Sequence, residues 1–183
     1  MTTWQRLELG NGERRLCIAL NRWGARQVLT RFFRTISRLG DGVFWYTLMA
    51  MLAAFGGTHG LRAAAHMAIV GIVAATLYRS LKRWTRRPRP FRTHADITAH
   101  IAPLDEFSFP SGHTLHAVSF TLVALAYFPA LAPLLLPFTV LVALSRVVLG
   151  LHYPSDVFAA TVIGGGLAAS SLWLARAMGM PLA

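Results

Sequence analysis

The chain has 183 residues, 55% of them apolar and only 14% charged, where a typical soluble domain carries about 25% charged residues. Its 18 Lys and Arg against 7 Asp and Glu give a net charge of +11, and mean hydropathy is +0.49. These values exclude a disordered chain and an ordinary soluble enzyme, and the single Cys17 excludes intrachain disulfides and cysteine-based zinc sites.

The first forty residues read differently from the rest. Arg22, Arg26, Arg31 and Arg34 interrupt every apolar run there. Each would cost roughly 2.5–3.5 kcal/mol at the bilayer centre, so this region does not span. Leu16, Leu20 and Trp23 share one helical face and Arg15, Arg22 and Arg26 another; Phe32, Ile36 and Leu39 oppose Arg31, Arg34 and Arg38. The two stripes do not align on one helix. The pattern predicts two short amphipathic helices with a bend near 24–27, lying on the membrane surface. A mitochondrial-type presequence is the competing reading, which Glu8 and Glu13 oppose. No apolar stretch follows the N-terminus, so no cleavable signal peptide is expected.

Five hydrophobic runs follow, at 42–61, 63–78, 114–128, 130–144 and 157–175. About 20 helical residues cross a ~30 Å hydrocarbon layer, and lipid offers no partners to an open backbone. The expected fold is therefore all-α: an integral membrane helical bundle of about five transmembrane helices, with N-terminal amphipathic interfacial helices. The boundaries are 1–40 for the interfacial region and 41–183 for the transmembrane domain. Residues 82–110 form the one long polar connection.

Five spans place the N-terminus, the 82–110 loop and the 149–154 link on one side. That side holds sixteen of the 18 Lys and Arg, from Arg6 to Arg146, and leaves Arg62 and Arg176 on the other. Cations near span ends stay cytoplasmic, which predicts a cytoplasmic face for this end. A charge-poor, apolar chain with one polybasic face reads as a membrane protein whose partners are the bilayer and its lipids, not nucleic acid.

Three polar clusters lie on that face: Lys82 with Arg89-Pro90, then Pro110-Ser111-Gly112-His113, then Ser145-Arg146 with His152 and Asp156. Lys82, Arg89 and Arg146 are cations at helix ends, suited to phosphate oxygens, which Arg grips bidentately. Ser111 and Gly112 open an apolar helical run, where free backbone N–H groups hold anions. His152 and Asp156 are four apart at a helix start after Pro154, so the carboxylate can hold one imidazole nitrogen and leave the other free as nucleophile or base. His113 supplies a second imidazole for acid–base work.

In order and spacing these residues resemble the tripartite signature of the type-2 phosphatidic acid phosphatase superfamily, which includes bacterial lipid phosphatases and undecaprenyl-pyrophosphate phosphatases. The signature residues run from 82 to 156, and no position is broken. The resemblance implies a metal-independent lipid phosphatase without cofactor. His152 would attack phosphorus to form a phosphohistidine that Asp156 orients and stabilises. His113 would protonate the leaving oxygen and then assist water, while Lys82, Arg89, Arg146, Ser111 and Gly112 hold the phosphoryl group. Many bacterial members have six spans; here the amphipathic segment stands in place of the first, which bears on substrate entry. A phosphatidic acid, phosphatidylglycerol phosphate or undecaprenyl pyrophosphate substrate is expected, in a bacterial inner membrane; a cytoplasmic site favours the first two. The same phosphohistidine could serve a phosphotransferase, and a non-catalytic polybasic lipid binder is the rival from another class.

Other residues carry less. His116 shares a face with His113 and reads as a polar residue inside the bundle. His59 reads as solvated in a turn, and His66 as a neutral packing residue. His94 and His100 lie in the polar loop. Gly164-Gly165-Gly166, with Ala160 and Ala168 one turn either side, reads as a small-residue face for close helix packing rather than a phosphate loop.

Overall fold

The structure is a computed structural model that describes residues 11–180 and 182. Arg6 and Glu8, which figured in the charge count and the presequence argument, lie outside the described residues. Those described are helical wherever they are regular. The order is α1 (Asn11–Gly24), α2 (Gln27–Arg38), a π-helical turn (Leu39–Val43), α3 (Phe44–Phe55), α4 (Gly57–Thr85), the short α5 (Pro90–Thr93), α6 (Gly112–Tyr127), a 3-10 turn (Pro129–Leu131), α7 (Ala132–Val148) and α8 (Pro154–Ala177).

Helix α6 is the hub, packed against α4, α7 and α8, while α3 forms a hairpin with α4. The core joins Trp45, Met67, Phe120, Val123, Leu135 and Val142. The outside is apolar as well: Phe55, Ile69, Ile72, Phe158 and Trp173 are exposed, as lipid-facing side chains should be. Polar groups point inward instead, Thr121 and Thr139 sharing a hydrogen bond of 2.6 Å between α6 and α7.

Three stretches, Gly57–Thr93, Pro129–Val148 and Pro154–Ala177, are long and apolar enough to cross a membrane. Helices α3 and α6, at 12 and 16 residues, fall short of the ~20 a straight crossing needs. The apolar run at 42–61 is thus not one span. It breaks at Gly56-Gly57, where Gly57 takes φ +60°, and residues 57–61 open the next helix. A Cβ at Gly60 would collide with the Leu52 carbonyl, so this hairpin needs its glycines.

The chain bends between α1 and α2 at the expected place. Of the two expected apolar stripes, Leu16, Trp23, Phe32 and Leu39 are exposed, while Leu20 and Ile36 are half-buried and pack inward against the core. The protein-facing side is a mixed strip of Cys17, Asn21, Thr30, Phe33 and Ser37, all buried. It packs on α7, and Asn21 fixes the polar loop by donating to the Thr98 and Val148 carbonyls and accepting from the Thr98 N–H. Gly42, at φ +130°, marks the kink in the π turn; such turns inside helices recur at functional sites.

The small-residue face is real but narrower than the triplet suggests. Ala160, Gly164 and Ala168 are buried, and a Cβ on Gly164 would sit 2.7 Å from the Leu115 carbonyl of α6. A Cβ on Gly165 or Gly166 would meet nothing within 4 Å. Gly164→Ala is therefore expected to lower thermal stability in detergent by about 1–3 kcal/mol through overpacking. Gly165→Ala and Gly166→Ala should leave the melting temperature unchanged or slightly raised. Equal effects at all three positions would contradict this packing.

Candidate active site

The polar ends of α4, α6 and α7, the π turn and residues 104–107 of the polar loop line an open cavity of about 870 Å³. Six of the eight sequence-predicted residues line it: Lys82, Arg89, Gly112, His113, Arg146 and His152. Ser111 and Asp156 sit behind them, each fully buried. One wall is apolar, built from Trp45, Tyr46 and Met49 of α3 and Ala68, Gly71 and Ile72 of α4.

His152 lies in the turn between α7 and α8, which the buried end of α7 holds in place: the N–H groups of Leu151 and His152 both donate to the Arg146 carbonyl. Its Nε2 is 3.3 Å from the Arg89 Nη1, a permanent donor. Nε2 therefore carries a lone pair, and Nδ1 carries the proton. Nδ1 faces the Asp156 Oδ2 at 3.6 Å, slightly beyond a formed hydrogen bond. This is the tautomer a nucleophilic histidine needs. Burial, then Arg89, Arg146 and Lys82, pushes the His152 imidazole well below its ordinary value of 6.5, so it stays neutral.

Asp156 opens α8 as the third residue of a capping box, accepting the Tyr153 N–H at 2.9 Å on Oδ2. Its Oδ1 takes a hydrogen bond of 2.7 Å from Arg87. Arg89 is 1% exposed and spans three groups at once. It donates to the Leu151 carbonyl at 2.8 Å, the Asp105 carboxylate at 2.8 Å and the Asp105 carbonyl at 3.1 Å. The Lys82 ammonium meets the same carboxylate at 2.6 and 2.8 Å. Burial favours the neutral form of Asp105, but Lys82 and Arg89 outweigh it and hold its carboxyl below the usual 3.8. The carboxylate thus marks where anionic oxygens sit between two buried cations.

Arg146 is 3% exposed; its Nη1 donates to the Ser37 hydroxyl of α2, while its Nε, buried, has no partner. His113, in the first turn of α6, places Nε2 3.3 Å from the Asp41 Oδ1 of the π turn. The N–H of Ser111 donates to the Asp156 carbonyl at 3.3 Å, and its hydroxyl accepts from Thr114 at 3.0 Å. The first of these bonds ties the start of α6 to that of α8.

Sequence reasoning missed Arg87, Asp41, Asp105, Glu13 and Ser37. Asp41, Asp105 and Ser37 stand outside the three polar clusters, Glu13 lies in the amphipathic segment, and Arg87 is one of several Arg between Lys82 and Arg89. The single available signal was Asp41 between Gly40 and Gly42, a flanking that permits a kink. His116 lies inside the bundle as expected, its ring nitrogens against the Gly112 and Gly71 carbonyls at 3.0 and 3.3 Å. His66 meets the Tyr127 hydroxyl at 3.1 Å. His59, read as solvated, instead contacts the Tyr127 carbonyl at 3.0 Å and fastens the start of α4 to the end of α6.

A family model of the PAP2 superfamily matches residues 59–179. The chain is 32% identical over 137 residues to a decaprenylphosphoryl-5-phosphoribose phosphatase of Mycobacterium tuberculosis, covering 74% of this chain and 75% of that one. It is 38% identical over 81 residues to phosphatidylglycerophosphatase B of Escherichia coli, 42% of this chain and 32% of that one. The crystal structure of Aquifex aeolicus LpxE superimposes with a TM-score of 0.79 at 26% identity, covering 91% of this chain and 98% of that one. The fold also matches a transmembrane PAP2-type phosphatidylglycerolphosphate phosphatase from Bacillus subtilis, with a TM-score of 0.70 at 24% identity over 92% and 88% of the chains.

Proposed function

The chain belongs to the PAP2 superfamily, and from that premise we propose how this membrane lipid phosphatase performs its reaction and on which lipids. The His152 Nε2 lone pair attacks phosphorus, the bond from phosphorus to the lipid oxygen breaks, and His113 gives that oxygen its proton. Asp156 balances the charge on the phosphorylated imidazole. Water, losing a proton to His113, then attacks phosphorus, frees inorganic phosphate and restores His152. Lys82, Arg89 and Arg146 neutralise the phosphoryl oxygens, with the Gly112 N–H and Ser111 at the edge of the group. Phosphoryl transfer needs little more than positioning and charge stabilisation, and fixed cations supply both.

The observation that carries this reading is the placement of Nε2. It is 3.3 Å from the guanidinium of Arg89, in a cavity lined also by Lys82, Arg146 and His113. The apolar wall of α3 and α4 suits a substrate that stays partly in the bilayer and enters laterally between these helices. The relatives act on decaprenylphosphoryl-5-phosphoribose and phosphatidylglycerophosphate. With the cation bias, these support a lipid-linked phosphomonoester presented on the cytoplasmic face of a bacterial inner membrane, with phosphatidylglycerol phosphate and phosphatidic acid ahead of undecaprenyl pyrophosphate. On this reading residues 1–40 rest on the same face and 41–183 carry the chemistry.

The test is inorganic phosphate release in detergent with EDTA present, offering those three lipids separately and no acceptor. Release from a phosphomonoester, undiminished by the chelator, is the expected result. Release that needs added divalent cation would overturn the metal-free mechanism. Turnover only when a second lipid or sugar is supplied would make the protein a phosphotransferase. Cysteine labelling at position 34 that succeeds from the outside of intact cells would overturn the cytoplasmic assignment.

A further inference from the structure

Asp156 is fully buried, and a carboxylate out of water either finds a counterion or takes up a proton. Among the described residues, Arg87 is the one Lys or Arg that contacts it. The Arg87 guanidinium is held from four directions. Its Nη1 donates to the Asp156 Oδ1 and to the Ser155 hydroxyl, each at 2.7 Å. Its Nη2 donates to the Glu13 Oε2 at 3.3 Å. Its plane lies over the Tyr153 ring at 4.1 Å, and the Tyr153 hydroxyl is in turn held by Thr93 at 2.6 Å.

Glu13 belongs to α1, the helix that also exposes Leu16 and Trp23. Its Oε1 accepts the N–H of Ser155 at 2.9 Å, in the first turn of α8. The side chains of Glu13 and Arg87 are only 12% and 13% exposed, so this is an interior pair rather than a surface ion pair. Neither residue lines the cavity, which separates Arg87 from Arg89 two positions later: Arg89 reaches the cavity and Arg87 does not.

We propose that Arg87 and Glu13 are positioning residues of the phosphatase reaction, Arg87 fixing the Asp156 carboxylate against His152 and Glu13 fixing Arg87 from the N-terminal helix. The inference rests on the reading of His152 as nucleophile and Asp156 as its partner. The Asp156 oxygens take hydrogen bonds from the Tyr153 N–H and Arg87 and lie beside the Ser108 hydroxyl, so losing Arg87 removes the one cation in contact among the described residues and lets the carboxylate rotate or neutralise. The imidazole then loses both its orientation and its charge partner, while the cations that bind phosphate stay in place. The N-terminal amphipathic segment is thereby part of the catalytic assembly, linked to the nucleophile through three side chains.

The experiment is steady-state phosphate release from phosphatidic acid and phosphatidylglycerol phosphate in mixed micelles, with Arg87→Gln, Arg87→Lys, Glu13→Gln, Asp156→Asn and the Arg87→Gln/Asp156→Asn double variant. Arg87→Gln is expected to lower kcat by about 10²-fold or more with KM within about threefold, because the loss falls on the nucleophile's partner and not on phosphate binding. Arg87→Lys should recover part of kcat, since charge returns without the fork or the stacking plane. Glu13→Gln keeps the Ser155 contact, loses the charge facing Arg87, and should lower kcat roughly three- to tenfold with KM unchanged. In the Asp156→Asn background Arg87→Gln should cost little more, because both act through one carboxylate. A purely structural role would instead give additive losses and a shared fall in melting temperature, and would overturn the proposal. Full kcat in a folded Arg87→Gln would also overturn it, and if that variant fails to fold, Arg87→Lys and Glu13→Gln decide the matter by the same split. His152→Ala keeping activity would sink the underlying reading as well; His152→Ala inactive beside a fully active Arg87→Gln would sink this inference alone.

Discussion

His152→Ala is expected to abolish phosphate release, by at least about 10³-fold, while the protein still extracts, purifies and melts as a folded bundle. The size follows from the role: removing a nucleophile leaves only the contribution of the fixed cations, and residues that act as a unit lose nearly everything together. The fold should survive because the imidazole makes one side-chain hydrogen bond, to Arg89, and its Nδ1 lies 3.6 Å from Asp156 with no completed hydrogen bond to lose. A second, independent signature concerns pH. An unfolded histidine takes up a proton near 6.5, and the folded His152 does so only at lower pH because burial and three cations oppose the charge. Between those two values the unfolded chain binds the extra proton, so stability falls as the pH drops from about 6.5. The alanine variant should lose stability less steeply over that window. The measurements are phosphate release and melting temperature from pH 7.5 to 5 for both proteins. Residual activity within tenfold of wild type would remove His152 as nucleophile, and identical stability slopes would show that its imidazole is not held neutral.

Much of this site was legible because the signature residues sit at helix ends that the hydropathy pattern marks. Lys82 closes α4, His113 opens α6, Arg146 closes α7 and Asp156 opens α8, so placing the apolar runs also brings these side chains to one end of the bundle. The number of crossings was less legible. Hydropathy sees 42–61 as one run, but a Gly-Gly pair costs nothing in hydropathy while turning the chain through a tight hairpin. Helix α6 reads as a span from its composition; at 16 residues it is the short hub of the bundle, packed against α4, α7 and α8.

The supporting charges were hidden for a different reason. Glu13, Asp41 and Asp105 are three of only seven acids, and each meets a cation or histidine far away in sequence: Glu13 meets Arg87, Asp41 meets His113, and Asp105 meets Lys82 and Arg89. Spacing rules apply within a helix and cannot pair residues 72 or 74 apart. Arg87 and Arg89 are the same residue type in the same basic run, and only the path of the chain after α4, which ends with Arg86 in the left-handed region, decides which one reaches the cavity.

Arg89 therefore makes the sharper test of phosphate recognition. Its guanidinium touches the Leu151 carbonyl, the Asp105 carboxylate and carbonyl, and the His152 Nε2 at once, which requires a rigid planar fork. Lysine keeps the charge but is a single point donor. In Arg89→Lys the ammonium can satisfy the carboxylate or the Leu151 carbonyl, not both, and it leaves Nε2 without the donor that sets its tautomer. Arg89→Lys is expected to lower kcat/KM by about 10²–10³-fold, the range for removing one preorganised donor from a developing anion. Melting should fall less than in the alanine variant, because the charge beside Asp105 persists while one buried acceptor loses its partner. Arg89→Ala should lose at least as much activity and also about 1–3 kcal/mol of stability, since the buried Leu151 carbonyl and the Asp105 backbone lose their partner. A lysine variant within threefold of wild type would mean that charge alone matters here and that the fork serves only to fasten the 94–110 loop. Activity lost in both variants, with the larger stability loss in the alanine, would separate two duties of one side chain: a proposed grip on phosphoryl oxygens that needs its geometry, and a hold on the loop that rests mainly on its charge.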